Sequence, residues 1–318
     1  MVEGKWPPIA VMGAGAVGCY FGGMLAKAGA PVTLIARPQH AEAIARNGLL
    51  LESIHFREHI PVSASTDVAA VRSAEIVLLS VKTPDTEEAA RSLAPHLASG
   101  AIVLSLQNGV DNVERMRAAA RIEAIAAVVY VAAEMTAPGC VKHSGRGDLI
   151  IGDLRRNHRS DSSRRQTLEH VAALFTRAGV PCRISEDVEA DLWTKLVMNC
   201  AYNAISALTR ARYGRIAADP PLRDVMRQVV EETLAVARAA GVRMANTGLV
   251  EAAWKLAGTM PGAISSTAQD ILRGRRTEID SLNGYVARRG AELKIATPVN
   301  QTLHALVKLL EEAPENTA

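Results

Sequence analysis

The sequence predicts an α/β fold: a doubly wound, mostly parallel sheet over residues 1–186, followed by an all-helical domain over residues 187–318. Three observations carry this. Short apolar runs of strand length alternate with helical patterns through the first half. A glycine-rich turn joins the first such run to the first helix. No convincing strand pattern follows residue 187, where long helical periodicities take over. At 318 residues, two domains are the expected number. Hydrophobic residues make up 48% and charged residues 22% of the chain, enough to bury a core without disulfide or metal staples. With aromatics at only 3%, that core must be built from Ala, Val, Leu and Ile.

The elements follow in order. Ile9–Met12 is an apolar strand that meets the glycine turn. Residues 16–28 read as a helix stopped by Gly29, and 31–36 as a second β-like run. Helical spacing resumes after Pro38 and ends near Asn47 and Gly48. Residues 76–81 form a continuous apolar run with turn-like flanks, the pattern of a strand buried on both faces. Residues 86–96 suit a helix, and 102–106 another buried strand. From 124 to 153 the texture changes: apolar runs at 126–133 and 149–151, split by Pro138-Gly139 and by Gly145 and Gly147, predict antiparallel additions to the sheet. Residues 157–163 are polar and read as an exposed loop, 163–178 as a helix and 180–184 as a last strand. Residues 189–208, 222–240 and 297–312 then carry long helical patterns. There is no internal repeat and no low-complexity segment.

The formal charge is +3. Arginine pairs at Arg155-Arg156, Arg164-Arg165, Arg275-Arg276 and Arg288-Arg289 are scattered rather than clustered. Nucleic acid is therefore not an expected partner, whereas a modest positive field suits a polyanionic cofactor and an anionic substrate. The four cysteines, Cys19, Cys140, Cys182 and Cys200, form no CxxC and no zinc spacing with histidine. No metal site is expected, and the thiols suit a reducing compartment. The start of the chain shows no signal-like apolar run, and no run of about 18 apolar residues suggests a membrane span. The expected address is the cytoplasm. The oligomeric state stays open, a homodimer included.

The glycine turn reads Gly13-Ala14-Gly15-Ala16-Val17-Gly18. A bare GxGxxG is weak evidence, but here a strand precedes it, a helix follows it and a second strand comes within thirty residues, the context of a Rossmann-type dinucleotide site. Gly13 would permit the tight turn, Gly15 would let the backbone approach a pyrophosphate, and Gly18 would let the helix pack close to the sheet. Amides at the helix start would hold the phosphates. About twenty residues on, an acid would bind the ribose hydroxyls of NAD. This chain instead reads Thr33-Leu34-Ile35-Ala36-Arg37. Arg37 can meet the 2′-phosphate of NADPH with a charge-assisted fork; the plain alternative is a surface arginine. Lys82 and Asn108 also stand where strands end, the edge at which such sheets bind ligands. Lys82 could reach cofactor phosphate or ribose, and Asn108 could orient the nicotinamide or the substrate. Asn-Gly is also an ordinary turn sequence.

A polar face runs along an otherwise apolar helix. Lys195, Asn199 and Asn203 are spaced i, i+4, i+8 and share one side. A helix this apolar should be buried, so the stripe should line a cleft; the alternative is an exposed polar stripe. A lysine suits reduction of a keto group. Hydride arriving at the carbonyl carbon leaves an alkoxide-like oxygen, which an ammonium can stabilise and protonate. The asparagines can orient a substrate through amide hydrogen bonds, and a nearby carboxylate would position the lysine and favour its charged form.

Taken together and in order, the glycine turn, Lys82, Gln107-Asn108-Gly109, Leu192-Trp193-Thr194-Lys195 with Asn199 and Asn203, and Ser265-Ser266 with Thr277-Glu278-Ile279-Asp280 and Asn283-Gly284 resemble the ketopantoate reductases over nearly the whole chain. The resemblance implies NADPH-dependent reduction of ketopantoate (2-dehydropantoate) to pantoate, a step toward pantothenate and coenzyme A, in a cleft between the two domains. It implies that Lys195 is the general acid, Glu278 its carboxylate partner, Ser266 the binder of the substrate carboxylate, and Asn199 and Asn203 holders of the substrate's oxygens. Asn108 would sit near the nicotinamide, and Arg37 and Lys82 would select and hold NADPH. Two positions depart from the pattern: Ala263 stands where well-studied members of the family carry asparagine, and Tyr213 where some members carry another. Reduction of another small 2-keto acid, a β-hydroxy acid dehydrogenase and a non-catalytic NADPH-binding sensor are the rival readings.

Overall fold

The computed structural model describes residues 5–154, 162–244 and 248–312. The polar loop expected at 157–163 falls mostly outside them; its last two residues, Ser162 and Ser163, open a helix. The chain divides into two compact units, Met1–Val188 and Glu189–Ala318.

The first unit runs β1 (Ile9–Met12), α1 (Ala16–Lys27), β2 (Val32–Ile35), α2 (Pro38–Asn47), β3 (Leu49–Glu52), β4 (Arg57–Ile60), β5 (Ser63–Ser65), β6 (Ile76–Leu79), α3 (Thr86–Leu93), β7 (Ile102–Ser105), α4 (Asn112–Ala120), β8 (Ala124–Ala137), β9 (Cys140–Gly152), α5 (Ser162–Arg177) and β10 (Cys182–Ile184). The strands form one sheet in the order β4-β3-β9-β8-β7-β6-β1-β2-β5, with β10 on β9. Six of them, β5-β2-β1-β6-β7-β8, pair in parallel. In chain order these six run 3-2-1-4-5-6, the doubly wound order of dinucleotide-binding sheets. Val77, Leu78, Leu79 and Leu104 are buried to within 1%, as continuous apolar runs in a sheet covered on both faces should be.

The antiparallel addition is the β8–β9 hairpin, turned through Gly139 at φ +71°. Two features differ from the sequence expectation. A β3–β4 hairpin adds a further layer of pairing, with β3 parallel to the start of β9, and β5 is a three-residue strand on the far edge. Neither shows a readable period, because Arg57, Glu58 and His59 of β4 are all exposed and Ser63-Ala64-Ser65 is short and polar.

Helix α1 packs against β1 and β2 and also against β3, β4, β8 and β9, so the sheet curls round it. The helix presents glycine both ways. A Cβ on Gly22 would lie 2.9 Å from Leu34 and Val11, and one on Gly23 would lie 2.9 Å from Leu49 and Leu51. Phe21 of α1 meets Phe175 of α5 edge-on at 6.2 Å. Burying each such ring contributes about 1.5–3 kcal/mol.

The second unit comprises α6 (Val188–Thr209), α7 (Tyr213–Ala218), α8 (Pro220–Ala239), α9 (Leu249–Thr259), α10 (Ser266–Leu272), α11 (Asn283–Leu293) and α12 (Pro298–Glu312); its described residues hold no strand. Helix α8 starts on Asp219, whose carboxylate accepts from Leu222 N–H at 3.3 Å, with prolines in its first turn. Helix α12 is capped from a neighbour: Glu232 of α8 accepts from the N–H groups of Val299 and Asn300, both at 2.9 Å. Helix α6 is the hub. Cys200 O accepts from Asn283 Nδ2 of α11 at 3.2 Å, Tyr202 Oη donates to Ala253 O of α9 at 2.6 Å, and Trp193 meets Tyr285 edge-on. Among the described residues, no helix is long and apolar enough to cross a membrane.

Candidate active site

In the first unit, β2, β1, β6 and β7 end level: Met12 pairs with Ile35 and with Leu79, and Leu79 with Ser105. What each chain does next builds the edge. Beyond β1, the N–H groups of Gly13 and Ala14 donate to Ile35 O at 3.3 and 3.0 Å, folding the turn over the end of β2. Gly13 has φ +97°, and a Cβ on it would stand 2.7 Å from Val81 N. Ser80 Oγ donates to Gly13 O at 2.8 Å, a clamp that the sequence hints at only as a hydroxyl inside an apolar run.

A Cβ on Gly18 would fall 2.5 Å from both Gly13 O and Ser80 Oγ. Gly18→Ala should therefore cost about 1–3 kcal/mol by overpacking; an unshifted denaturation midpoint would contradict this. Gly15 behaves differently: it is exposed and a Cβ there would meet nothing within 4 Å. That open backbone, with Ala14, Ala16 and Val17 tucked partly or wholly inward, fits a pyrophosphate.

Arg37 lies exposed two residues beyond β2, just ahead of Pro38 at the start of α2. No acid stands between Val32 and Arg37. Lys82, half-buried, follows β6 and opens a 3-10 turn, Thr83–Asp85. Asn108, half-buried, follows β7, and its carbonyl is gripped from two sides, by Thr83 Oγ1 at 2.8 Å and Asn112 Nδ2 at 2.6 Å. Thr86 Oγ1 donates to Asn112 Oδ1 at 2.9 Å and accepts from Gln107 Nε2 at 2.7 Å; Gln107 also reaches Val81 O and accepts from Ser105 Oγ. This buried network ties the ends of β6 and β7 together. Sequence reading found Gln107-Asn108-Gly109 but missed Thr83, Thr86 and Asn112, which look like ordinary turn and cap residues.

In the second unit, Lys195 and Asn199 are half-buried on α6, and Asn203, one turn beyond Asn199, is 3% exposed. Leu196, Val197, Cys200, Ala201 and Ala204 on the other sides are buried, so the stripe is not the exposed face that was the alternative. Burial drives the Cys200 thiol well above its ordinary range and pushes Cys19 up to about 12, which makes both inert as nucleophiles.

Asn203 and Ser266 are brought together, Nδ2 to Oγ at 3.4 Å. The serine before it explains how: Ser265 Oγ accepts from Ala268 N–H to cap α10 and donates to Asn203 O at 3.2 Å, while its own N–H reaches Ser206 Oγ. Glu278 is half-buried, immediately ahead of a 3-10 turn, Ile279–Ser281. The two departures are bonded neighbours: Tyr213 N–H donates to Ala263 O at 3.0 Å. The Tyr213 ring stacks on Tyr202 at 4.2 Å. Burial, then the neighbouring Tyr202, raises the Tyr213 hydroxyl well above its usual value, so it is a neutral donor.

A doubly wound sheet with this glycine edge, followed by a helical unit, defines a dinucleotide-binding protein of the two-part oxidoreductase type. Residues 9–156 match the family model of ketopantoate reductase PanE/ApbA, and residues 187–311 that of its C-terminal part. The 2-dehydropantoate 2-reductase of Pyrococcus horikoshii is 33% identical over 304 residues, covering 95% of this chain and 97% of its own. Among solved structures, a PanE/ApbA family ketopantoate reductase from Ralstonia eutropha JMP134 is 51% identical with a TM-score of 0.87, covering 96% of this chain and 98% of the other. The 2-dehydropantoate 2-reductase of Geobacter metallireducens GS-15 is 31% identical with a TM-score of 0.87, covering 95% and 99%. The chain belongs to the ketopantoate reductase family and, with it, to the NAD(P)-dependent oxidoreductases.

Proposed function

We propose that this protein reduces ketopantoate to pantoate with NADPH, on the route to pantothenate and coenzyme A. Residues 1–186 would hold the cofactor and 187–318 the substrate. The observation that carries this reading is the half-buried Lys195–Asn199–Asn203 face, with Ser266 against its end, in a chain of this family.

Bound NADPH supplies the hydride. The amides of Gly13–Gly18 hold its pyrophosphate, Arg37 takes the 2′-phosphate, and Lys82 takes phosphate or ribose. Asn108, its carbonyl fixed by Thr83 and Asn112, orients the nicotinamide or the substrate. Ser266 Oγ donates to the substrate carboxylate, and Asn199 and Asn203 hold its oxygens. Lys195 Nζ gives a proton to the carbonyl oxygen as negative charge gathers there, and Glu278 positions that ammonium. Four free cysteines fit a cytoplasmic address, where thiols stay reduced.

The Tyr213–Ala263 pair supports a second reading, a related small branched 2-keto acid as the better substrate. A stacked ring and a methyl group stand where amides would offer hydrogen bonds. A panel of 2-keto acids, with NADPH oxidation followed optically, separates the readings. The expected result is turnover of ketopantoate together with appreciable turnover of other small branched 2-keto acids; a higher KM for ketopantoate than for one of them would favour the second reading. Turnover of another acid with none of ketopantoate would remove the specific assignment and leave the reductase. Tight NADPH binding with no turnover at all would favour a sensor.

A further inference from the structure

Glu278 sits in a short segment with little regular structure of its own, yet the residues on both sides of it are held by one face of α12. His304, Lys308 and Glu311 are spaced i, i+4, i+7 and so share that face. On the near side of Glu278, Thr277 is 1% exposed. Its N–H donates to Glu311 Oε1 at 2.6 Å, and its Oγ1 accepts from Ile279 N–H at 3.1 Å, bridging over Glu278. On the far side, Asp280 Oδ1 pairs with His304 Nε2 at 2.7 Å and Oδ2 with Lys308 Nζ at 3.2 Å. Lys308 closes the figure by donating to Glu311 Oε2 at 2.7 Å. Arg288 Nη1 of α11 adds a bond to Asp280 O at 2.8 Å.

The packing is close at two points of this figure. A Cβ on Gly284 would fall 2.7 Å from the His304 ring, and the Glu311 side chain is only 9% exposed. Burial works against the charge on Asp280 and Glu311, but both carboxyls are held below their ordinary values, Asp280 by His304 and Lys308 and Glu311 by Lys308 and Thr277. Asp280 and Glu311 are therefore carboxylates at neutral pH, facing the Lys308 ammonium, which their company holds above its ordinary value.

We propose that the His304–Lys308–Glu311 face of α12 is a positioning device that fixes the Glu278 carboxylate for its work on Lys195, with Glu311 as its anchor through the Thr277 N–H. This rests on the role given above to Glu278. A segment of this kind has many conformations when its flanks are released, and a carboxylate displaced by an ångström misplaces the ammonium it orients.

The test is steady-state kinetics on Glu311→Ala, Glu311→Gln, Lys308→Met and Glu278→Gln, with NADPH affinity and denaturation midpoint measured for each. Glu311→Ala should lower kcat by about 10–100-fold, the scale of a small misplacement away from the chemistry, with NADPH affinity unchanged. Glu311→Gln, whose amide oxygen still accepts from Thr277 N–H, should recover most of that rate. Lys308→Met, on the more open part of the face, should fall between the two and serves if Glu311→Ala does not fold. Glu278→Gln should be slow. The proposal is overturned if Glu278→Gln is slow while Glu311→Ala and Lys308→Met are as fast as the parent, or if Glu311→Gln is no faster than Glu311→Ala. If Glu278→Gln itself is unimpaired, the role of Glu278 fails first and takes this proposal with it.

Discussion

Lys195→Ala should lower kcat by about two to four orders of magnitude, the usual worth of general acid–base catalysis. Hydride transfer to a keto carbon leaves an oxygen that must gain a proton, and water at neutral pH is a poor donor. A lysine ordinarily carries its proton at neutral pH, with a reference pKa of about 10.4. On α6 its neighbours on the same face are two amides, Asn199 and Asn203, which carry no proton of comparable acidity. NADPH affinity should change little, because the glycine edge, Arg37 and Lys82 all belong to the first unit. The measurement is kcat on purified, folded protein beside a direct NADPH titration; a near-parental kcat would refute the mechanism proposed here.

Arg37→Ala should weaken NADPH binding by ~1.5–3 kcal/mol, the range for a hydrogen bond to a charged group. NADH binding should hardly change, since NADH lacks the 2′-phosphate. The exposed position of Arg37 favours the lower end of that range. The same exposure predicts that raising the salt concentration narrows the preference for NADPH. Titrating both cofactors into parent and variant decides it: equal losses would mean that Arg37 is no more than a surface residue beside the site.

How far the sequence alone reached depended on whether the physics was local. The Gly13–Gly18 turn was readable because a positive φ and a close helix–strand approach each demand glycine at fixed offsets. Helix α6 was readable because Lys195, Asn199 and Asn203 interrupt an apolar pattern at helical spacing. The β3–β4 hairpin was not, since β3 is stabilised by pairing Leu50 with Cys140, ninety positions away. Thr83, Thr86 and Asn112 were missed for a related reason: burial, not residue type, makes them a network, and burial is settled by the whole sheet. Ser266 and Glu278 came only through family resemblance. The Asn203–Ser266 contact and the clamp on the segment around Glu278 have no signature within any single stretch of chain.

The wrapping of the sheet round α1 has a consequence for how the first unit assembles. The turn and helix proposed for the cofactor phosphates lie within residues 13–27, but the β3 side of the wall round that helix is tied into the sheet only when β3 finds β9. Pairings between such distant segments are slow to form, because chain entropy is lost before any contact is gained. The glycine turn on its βαβ unit is thus made well before the strand that completes the β3 side of its enclosure. Until residue 140 has been made and docked, the β3–β4 hairpin whose Leu49 and Leu51 cover Gly23 has no β9 to pair with.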